Sequence, residues 1–401
     1  MVRPHIVAAL RGCMFAFAAI TVAGAAAWCQ TFEIVQERNG IVNAFARMKD
    51  GKPTTIAYFG GSITAGAGAS DSGKTSWRAL TTAWFRRQYP KTQITEVDAS
   101  IGGTGSDFGA FRLQRDVLDK KPDLVFIEFA VNDTGTPAPT VKRAIEGIVR
   151  HIRIADPTTE ICFVYTLAQS MLPDFQQGRL PAAVFLHDVI AAHYHISSVN
   201  VGAAAAAQIN SGNLIWADFS KDVCHPTDAG YSLYADTITS FLAQQMLHIS
   251  RHPVPYKLMD PLEPRSWSNG QLSPATALTP ARHGWSIEPA QPGRTELLTS
   301  KDPSAEPLEF RFSGDTVGIS FLVGPDTGNL DYKVDAAEWQ PMRPFDVFAV
   351  DGARVQSRIL ADNLKSGAHT LYVRPRDDKD ERSKGHNTRL AYFITNEPLN
   401  P

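Results

Sequence analysis

The 401-residue chain has few cysteines, no long apolar run beyond its N-terminus and no surplus of either charge. Four cysteines, with no CxxC pair among them, exclude a disulfide-stapled scaffold and give no indication of a metal site. The 39 lysines and arginines nearly balance the 41 aspartates and glutamates, so nothing indicates a nucleic-acid partner. The apolar fraction of 43% is that of a soluble globular protein, and the length predicts two domains.

The one long apolar run lies close to the N-terminus, in Cys13–Ala27, and follows a positively charged flank. It is shorter than the roughly 20 apolar residues that a membrane-spanning helix needs, and small residues suited to cleavage follow it. Residues 1–29 are therefore predicted to be a signal peptide, with a retained anchor helix as the alternative. We expect a secreted or periplasmic protein without a stable membrane anchor after cleavage.

Residues 30–250 are predicted to form an α/β domain, because short apolar runs alternate there with longer amphipathic segments. The apolar runs are Thr55–Phe59, Gln93–Val97, Asp123–Phe129, Glu160–Thr166 and Ile196–Val199. The helix candidates between them are Ser76–Gln88, Ser106–Lys120, Thr140–Ala155, Pro181–His193 and Pro226–His248. Continuously apolar strands separated by helices predict a parallel sheet that is covered on both faces, in three layers.

The remainder of the chain has a different pattern. Residues 251–293 are rich in proline without a strong period, which predicts a linker and the entry to a second domain. Residues 294–401 are predicted to form an all-β sandwich of the jelly-roll kind, because short β-type runs alternate there with turn residues. The predicted strands are Leu308–Phe312, Thr316–Leu322, Asp331–Val334, Val347–Val350, His369–Val373 and Arg389–Ile394.

Two glycine-containing turns follow the first two predicted strands. Gly60-Gly61-Ser62 comes directly after the first, at the sheet edge where parallel α/β folds bind ligands, and the glycines leave the serine hydroxyl accessible. Ile101-Gly102-Gly103-Thr104 follows the second and can direct a backbone N–H toward a developing oxyanion. Each motif alone is equally typical of an ordinary turn.

Two further motifs occupy the ends of later segments. Asn132 and Asp133 follow the most apolar strand, where an amide could stabilise an oxyanion and a turn-forming pair is the alternative. Asp222 stands three residues before His225, so its carboxylate can reach imidazole Nδ1 and leave Nε2 for a serine hydroxyl. Asp218 is a weaker candidate for the same role. His187, His193 and His195 are predicted to be structural.

These motifs converge on one edge of the predicted sheet, and together they supply a nucleophile, oxyanion donors, a base and an orienting acid. The blocks Gly60–Thr64, Ile101–Thr104, Val131–Asp133 and Asp222–His225 resemble the SGNH (GDSL-type) hydrolase superfamily over about residues 52–248. The resemblance implies a flavodoxin-like sheet and a serine esterase without cofactor or metal. It departs from the usual family pattern at Gly61, where aspartate commonly precedes the serine.

The same resemblance implies a role for each site residue. Ser62 would be the nucleophile, His225 the base and Asp222 the orienting acid. The backbone N–H groups of Ser62 and Gly103, with the Asn132 amide, would form the oxyanion hole. Gly102 is the alternative to Gly103 as donor.

Four functions fit these residues. The first is a secreted esterase that removes small acyl groups, acetyl above all, from a glycan. The others are an O-acyltransferase that uses the same residues, a lipolytic esterase or phospholipase, and a binding protein with an inactive site. An exported SGNH domain joined to a β-sandwich is similar to bacterial carbohydrate esterases, which favours the first, with a small acyl ester or acylated glycan as its partner. The oligomeric state is not predicted. The sandwich would target substrate, through Tyr332 and Trp339 for example, without supplying a catalytic group.

Overall fold

The computed structural model describes residues 33–248, 253–278, 282–290 and 295–397. The predicted signal peptide, residues 1–29, lies outside these ranges. Within them, no helix is both long enough and apolar enough to cross a membrane.

The first sheet contains six strands near the centre of the N-terminal domain. They are β1 (Val35–Gln36), β2 (Thr54–Gly60), β3 (Ile94–Ser100), β4 (Leu124–Glu128), β5 (Glu160–Val164) and β6 (Ser197–Val199). Their order is β1-β6-β5-β4-β2-β3, in which β2 to β6 are parallel and the short edge strand β1 is antiparallel. Counted from β2, this is the 2-1-3-4-5 order of flavodoxin-like sheets. The predicted fold class is confirmed.

Helices cover both faces of this sheet. They are α1 (Val42–Lys49), α2 (Ser62–Ala65), α3 (Trp77–Gln88), α4 (Ser106–Asp116), α5 (Ala138–Ala155), α6 (Leu172–Gln176), α7 (Ala182–His193), α8 (Val201–Asn210), α9 (Trp216–Phe219) and α10 (Asp228–Gln245). Apolar side chains of α1, α3, α8 and α10 fill one core, and those of α4, α5 and α7 fill the other. Helix α8 was not predicted, because its run of alanines gives no amphipathic period.

The second domain is a sandwich of two antiparallel sheets. Its strands are β7 (Gly270–Pro274), β8 (Ser286–Glu288), β9 (Leu297–Ser300), β10 (Leu308–Ser313), β11 (Thr316–Val323), β12 (Leu330–Val334), β13 (Gln340–Met342), β14 (Arg354–Ala361), β15 (Ala368–Pro375) and β16 (Thr388–Asn396). One sheet has the order β10-β15-β12-β13, and the other has β14-β11-β16-β9-β8 with β7 also paired to β16. A separate apolar core lies between them. The predicted all-β second domain is confirmed.

Two details of the second domain differ from the sequence prediction. Val347–Val350 is not a strand, because residues 347–349 form a 3-10 turn in which the Asp346 carboxylate accepts the Phe348 N–H at 2.9 Å. The second domain's sheet also begins before the predicted boundary at residue 294, since β7 and β8 already belong to it. The preceding chain is packed rather than free: Tyr256 hydrogen-bonds Glu160, and buried Trp267 donates its backbone N–H to the carbonyl of Arg143.

The sheet that contains β14 packs directly on the α/β domain. Leu272, Val355, Ile359 and Ile394 contact the same apolar core as α4 and α5. Strand β7 lies along α4, and the Arg143 guanidinium of α5 forms a 2.8 Å ion pair with Asp362 just beyond β14. This interface brings the first residue of β14 to the edge of the α/β sheet where β2 and β3 end.

Candidate active site

Ser62 stands where β2 ends and the short helix α2 begins. A Cβ at Gly60 would approach the Glu128 carbonyl oxygen to 2.6 Å, and one at Gly61 would overlap the side-chain amide of Asn132. The turn therefore fits between its neighbours only without side chains at these two positions. The close approach of Asn132 also gives a physical reason for glycine at position 61, where the SGNH pattern usually has aspartate.

Ser62, His225 and Asp222 form one continuous chain of hydrogen bonds. The His225 Nε2 atom lies 2.8 Å from Ser62 Oγ, and its Nδ1 atom lies 2.7 Å from Asp222 Oδ2. Asp222 Oδ1 accepts the backbone N–H groups of Cys224 at 2.8 Å and His225 at 2.7 Å. The carboxylate thereby folds its own loop into the shape that presents the imidazole to the serine.

The charge of Asp222 suits this arrangement. Burial raises the pKa of its carboxyl, but the N–H groups of His225 and Cys224 and the imidazole outweigh burial and lower the pKa to about 2. The carboxylate is therefore ionised at neutral pH and accepts a proton from Nδ1 in a hydrogen bond. Asp218, the rival candidate, is exposed and contributes its backbone carbonyl to the Thr227 hydroxyl instead.

The turn after β3 lies beside the nucleophile. The Ile101 N–H donates to the Gly60 carbonyl at 3.1 Å, which ties this turn to the one that precedes Ser62. A Cβ at Gly102 would be 3.6 Å from Ser62 Cβ, and Gly103 has a φ of +74° that L side chains rarely adopt. Both glycines are thus adjacent to Ser62, and the choice of Gly103 over Gly102 as oxyanion donor stays a prediction.

Asn132 reaches the same edge from the end of β4. Its side-chain amide lies against Gly61 and makes no hydrogen bond to any other residue in the described ranges. The next residue, Asp133, is buried and accepts the Ser106 N–H at 2.9 Å and pairs with His187 Nε2 at 2.7 Å. His187, which the sequence predicts to be structural, therefore holds the loop that carries Asn132 in place through Asp133.

A second buried carboxyl lies beneath the nucleophile turn. Glu128 is fully buried, and its two oxygens accept hydroxyl hydrogens from Thr64 and Thr166, each at 2.8 Å. Burial raises the pKa of Glu128, and the two threonine hydroxyls act against it. Thr64 belongs to α2, so Glu128 holds the helix that carries Ser62 against the end of β4.

The carboxyl, thiol and imidazole of Asp222, Cys224 and His225 lie within 4.8 Å of one another, the spacing of a metal site. Their chemistry fits a metal poorly. Both imidazole nitrogens are already hydrogen-bonded, and burial raises the pKa of the Cys224 thiol to about 11, which keeps the thiol protonated.

Three residues that support this site are given no functional role by the sequence motifs. Glu128 is the one charged residue in an otherwise apolar strand, a signal that could have marked it. Asp133 was interpreted only as part of a turn. Arg354 contacts Gly103 from the second domain, and no local pattern in the sequence could have placed it there.

At the carboxyl edge of a flavodoxin-like sheet, a serine, a histidine and an aspartate are thus joined by hydrogen bonds, the arrangement that recurs in serine hydrolases of unrelated folds. Residues 58–233 match the model of the GDSL-like Lipase/Acylhydrolase family. The match lies within the α/β domain, which is similar to that family, and the protein is a carboxylic ester hydrolase.

The fold of both domains is similar to that of a solved two-domain esterase (CEX) active on acetylated mannans. The identity is 22%, and the match covers 88% of this chain and 94% of that one with a TM-score of 0.77. The same esterase co-crystallised with mannopentaose matches with a TM-score of 0.74, the same identity and the same coverage. The uncharacterized lipoprotein YqeF of Bacillus subtilis is 33% identical over 87 residues, 17% of this chain. That match spans only 36% of YqeF.

Proposed function

We propose that this protein is a serine esterase that hydrolyses small acyl esters, acetyl above all, on a carbohydrate. The observation that carries the proposal is the chain of contacts from Asp222 through His225 to Ser62, at 2.7 and 2.8 Å. A base within hydrogen-bond reach of a hydroxyl, itself oriented by an ionised carboxylate, is the arrangement that activates a serine.

The reaction proceeds in two steps. Neutral His225 accepts the Ser62 proton while Oγ attacks the ester carbonyl, and the imidazolium formed is stabilised by Asp222. The proton then passes from His225 to the departing alcohol, leaving an acyl-serine. Water then gives a proton to His225 while its oxygen bonds to the acyl carbon. The bond from that carbon to Ser62 Oγ breaks, His225 returns the proton to Oγ, and the carboxylic acid leaves. In both steps the carbonyl oxygen becomes an oxyanion.

The N–H groups of Ser62 and Gly103 and the Asn132 amide stabilise that oxyanion. Asn132 suits this role because its amide lies against Gly61, the residue before Ser62, and no described residue uses its hydrogens. Asp133 and Glu128 hold the loops in place before substrate arrives. Donors that are already oriented stabilise the transition state more than the ground state.

Small residues near the nucleophile favour a short acyl group over a lipid. The loop from Ala65 to Lys74 consists mostly of glycine, alanine and serine, and Gly68 packs directly against the backbone of His225 and Pro226. A lipid substrate would need a broad apolar surface that these residues do not provide. The fold shared with an esterase active on acetylated mannans supports an acetylated polysaccharide as substrate.

A glycan of this kind is met outside the cytoplasm, which agrees with the predicted signal peptide at residues 1–29. We therefore propose a secreted or periplasmic location. The signal is tested by expression of the full chain in a bacterial host and N-terminal sequencing of the exported product.

The proposed substrate is tested by measuring kcat/KM for 4-nitrophenyl esters of increasing chain length beside acetylated mannan and xylan. We expect the highest kcat/KM among the 4-nitrophenyl esters for acetate and release of acetic acid from at least one polysaccharide. A maximum at a long-chain ester instead of acetate would favour the lipolytic alternative. Acetyl transfer to an added sugar in place of release would indicate the acyltransferase.

A further inference from the structure

An arginine of the β-sandwich lies against the glycine turn beside Ser62. Arg354 is the first residue of β14, and its guanidinium occupies the space into which a side chain at Gly103 would project. On the other side of the turn, a Cβ at Gly102 would be 3.6 Å from Ser62 Cβ. The two glycines therefore lie between the arginine of one domain and the serine of the other.

The conformation of this turn decides which backbone group faces Ser62. The Thr104 N–H donates to the Ile101 carbonyl at 3.4 Å, and Gly103, third in the turn, has the positive φ of a type II turn. A type I turn would need a φ of about −90° at Gly103. The two types differ by rotation of the peptide between Gly102 and Gly103, which reverses the Gly103 N–H and the Gly102 carbonyl. One type offers a donor where the other offers an acceptor.

The turn's own residues do not select between these two forms. Glycine adopts positive and negative φ about equally readily, so two central glycines leave the peptide free to rotate. The Thr104 hydroxyl also donates to the Ile101 carbonyl, at 2.8 Å, but this contact holds the ends of the turn and not its centre. The guanidinium of Arg354 is the group that packs on the centre.

Arg354 is itself held in place from the sandwich side. Its guanidinium pairs with Asp346 at 3.2 Å and lies 5.7 Å from the ring centroid of Phe348. Asp346 in turn accepts a hydrogen bond from the Gln356 amide at 2.8 Å. The next residue of β14, Val355, packs on the core of the α/β domain, so the strand cannot move independently of the site.

We propose that Arg354 is a positioning residue of the active site, which holds the Ile101–Thr104 turn in the form that directs the Gly103 N–H toward Ser62. This inference rests on the proposed oxyanion role of Gly103. It makes the sandwich necessary for turnover of every ester, including one that carries no sugar. It thus goes beyond the targeting role expected for this domain.

The test compares Arg354→Ala with Arg358→Ala in the full chain. Arg358 lies on the same strand, is exposed and has no contact with the glycine turn, so it controls for loss of one positive charge on β14. With 4-nitrophenyl acetate we expect Arg354→Ala to lower kcat about tenfold or more, with KM changed less than about twofold. Arg358→Ala should leave both constants within about twofold of the unaltered protein.

A second measurement follows the rate at which a fluorophosphonate labels Ser62, since that reaction needs the nucleophile and the oxyanion donors but no sugar. Arg354→Ala should slow labelling by a factor similar to its loss of kcat. If near-UV circular dichroism shows that Arg354→Ala is unfolded, Arg354→Gln is used in its place. Glutamine keeps a planar polar group and most of the aliphatic part of the side chain. The glutamine variant should show a smaller loss of the same kind.

Unchanged kcat and labelling in a folded Arg354 variant would overturn the inference. A loss seen only as a higher KM for acetylated mannan would also overturn it, because it would mark Arg354 as a contact of the glycan. Failure of the unaltered protein to be labelled at Ser62 would overturn the proposed function, and this inference with it. Normal labelling of the unaltered protein with no effect of Arg354 would leave the proposed function standing.

Discussion

The α/β domain and the β-sandwich use their charged residues in different ways. Carboxyls of the α/β domain are buried among backbone and hydroxyl donors, as at Glu128, Asp133 and Glu160. Many carboxylates of the sandwich instead form ion pairs near its surface, such as Asp380 with Arg382. Surface pairs of this kind contribute little to stability, whereas a buried carboxyl carries a large desolvation cost.

The α/β domain therefore holds the loops of the active site in fixed positions with its buried carboxyls. Glu128 and Asp133 both tie loops at the carboxyl edge of the parallel sheet, and those loops carry Ser62 and Asn132. A buried acid with several donors has one arrangement, so it specifies the position of the loop that supplies them. The sandwich contributes to the site through Arg354, which contacts the glycine turn and is held by the partly buried Asp346.

The assignment of the active site to the α/β domain requires Ser62 to be the nucleophile. Ser62→Ala should lower kcat by about 10⁶-fold, because the attacking oxygen is removed while the fold keeps every packing contact. The matched control is Ser70→Ala, whose hydroxyl bonds Asp228 on the exposed side of the same loop. The measurement is hydrolysis of 4-nitrophenyl acetate with circular dichroism as the check of folding. Retention of more than about one per cent of the rate would contradict the serine mechanism.

Asp222→Asn should give the next largest loss, about 10⁴-fold in kcat, because an amide that donates to Nδ1 selects the wrong imidazole tautomer. Asp218→Asn is the control and should leave the rate nearly unchanged. Since the pKa of Asp222 is about 2, its carboxylate stays ionised as the pH falls to about 4. Protonation of Asp222 should therefore add no step to the pH dependence of kcat/KM above about pH 4. A step in that range that Asp222→Asn removes, or a larger loss in Asp218→Asn, would show that the orienting acid is misassigned.

Asn132→Ala should lower kcat about 10²-fold with little change in KM, because the amide meets the oxyanion and not the ground-state carbonyl. Gly61→Ala should cause a smaller loss of the same type, since its methyl group overlaps the Asn132 amide and displaces it. Gly352→Ala in the sandwich, where a Cβ meets nothing within 4 Å, is the matched glycine control. An effect confined to KM would mean that Asn132 positions the substrate instead.

The sequence was informative where structure follows from local pattern. The strands β2 to β6 and the turns that hold Ser62, Gly103 and Asn132 could be predicted, because apolar runs and glycines act over a few residues. Asp222 and His225 could be paired from their spacing. The pattern predicts no strand at β14 and wrongly predicts one at Val347–Val350, because edge strands and turns of a sandwich carry similar mixtures of polar and apolar residues. Arg354 could not be found, since its partner is more than two hundred positions away.

The smallest expected effect on turnover concerns a buried carboxyl at the opposite end of the sheet from Ser62. Glu160 begins β5 and accepts hydrogen bonds from the Asn43 N–H and the Tyr256 hydroxyl. Burial raises its pKa from 4.5 to about 7, against the effect of those donors. The unfolded chain thus ionises first, and the folded protein loses stability as the pH rises from about 4.5 to about 7. The loss amounts to about 3 kcal/mol.

Glu160→Gln should remove this loss, because an amide does not titrate. The free energy of unfolding, measured by urea denaturation at pH 5 and pH 8, should fall less with pH in the variant than in the unaltered protein. Turnover at pH 8 should stay within about twofold, since Glu160 lies away from the carboxyl edge. The control is Asp380→Asn in the sandwich: the hydrogen bond from Arg382 lowers the pKa of Asp380 to about 2, so this variant should leave the pH dependence between pH 5 and pH 8 unchanged. If the free energy of unfolding has the same pH dependence in Glu160→Gln and the unaltered protein, burial of the Glu160 carboxyl does not destabilise the protein at high pH. A loss of turnover in Glu160→Gln would mean that both ends of the sheet contribute to the active site.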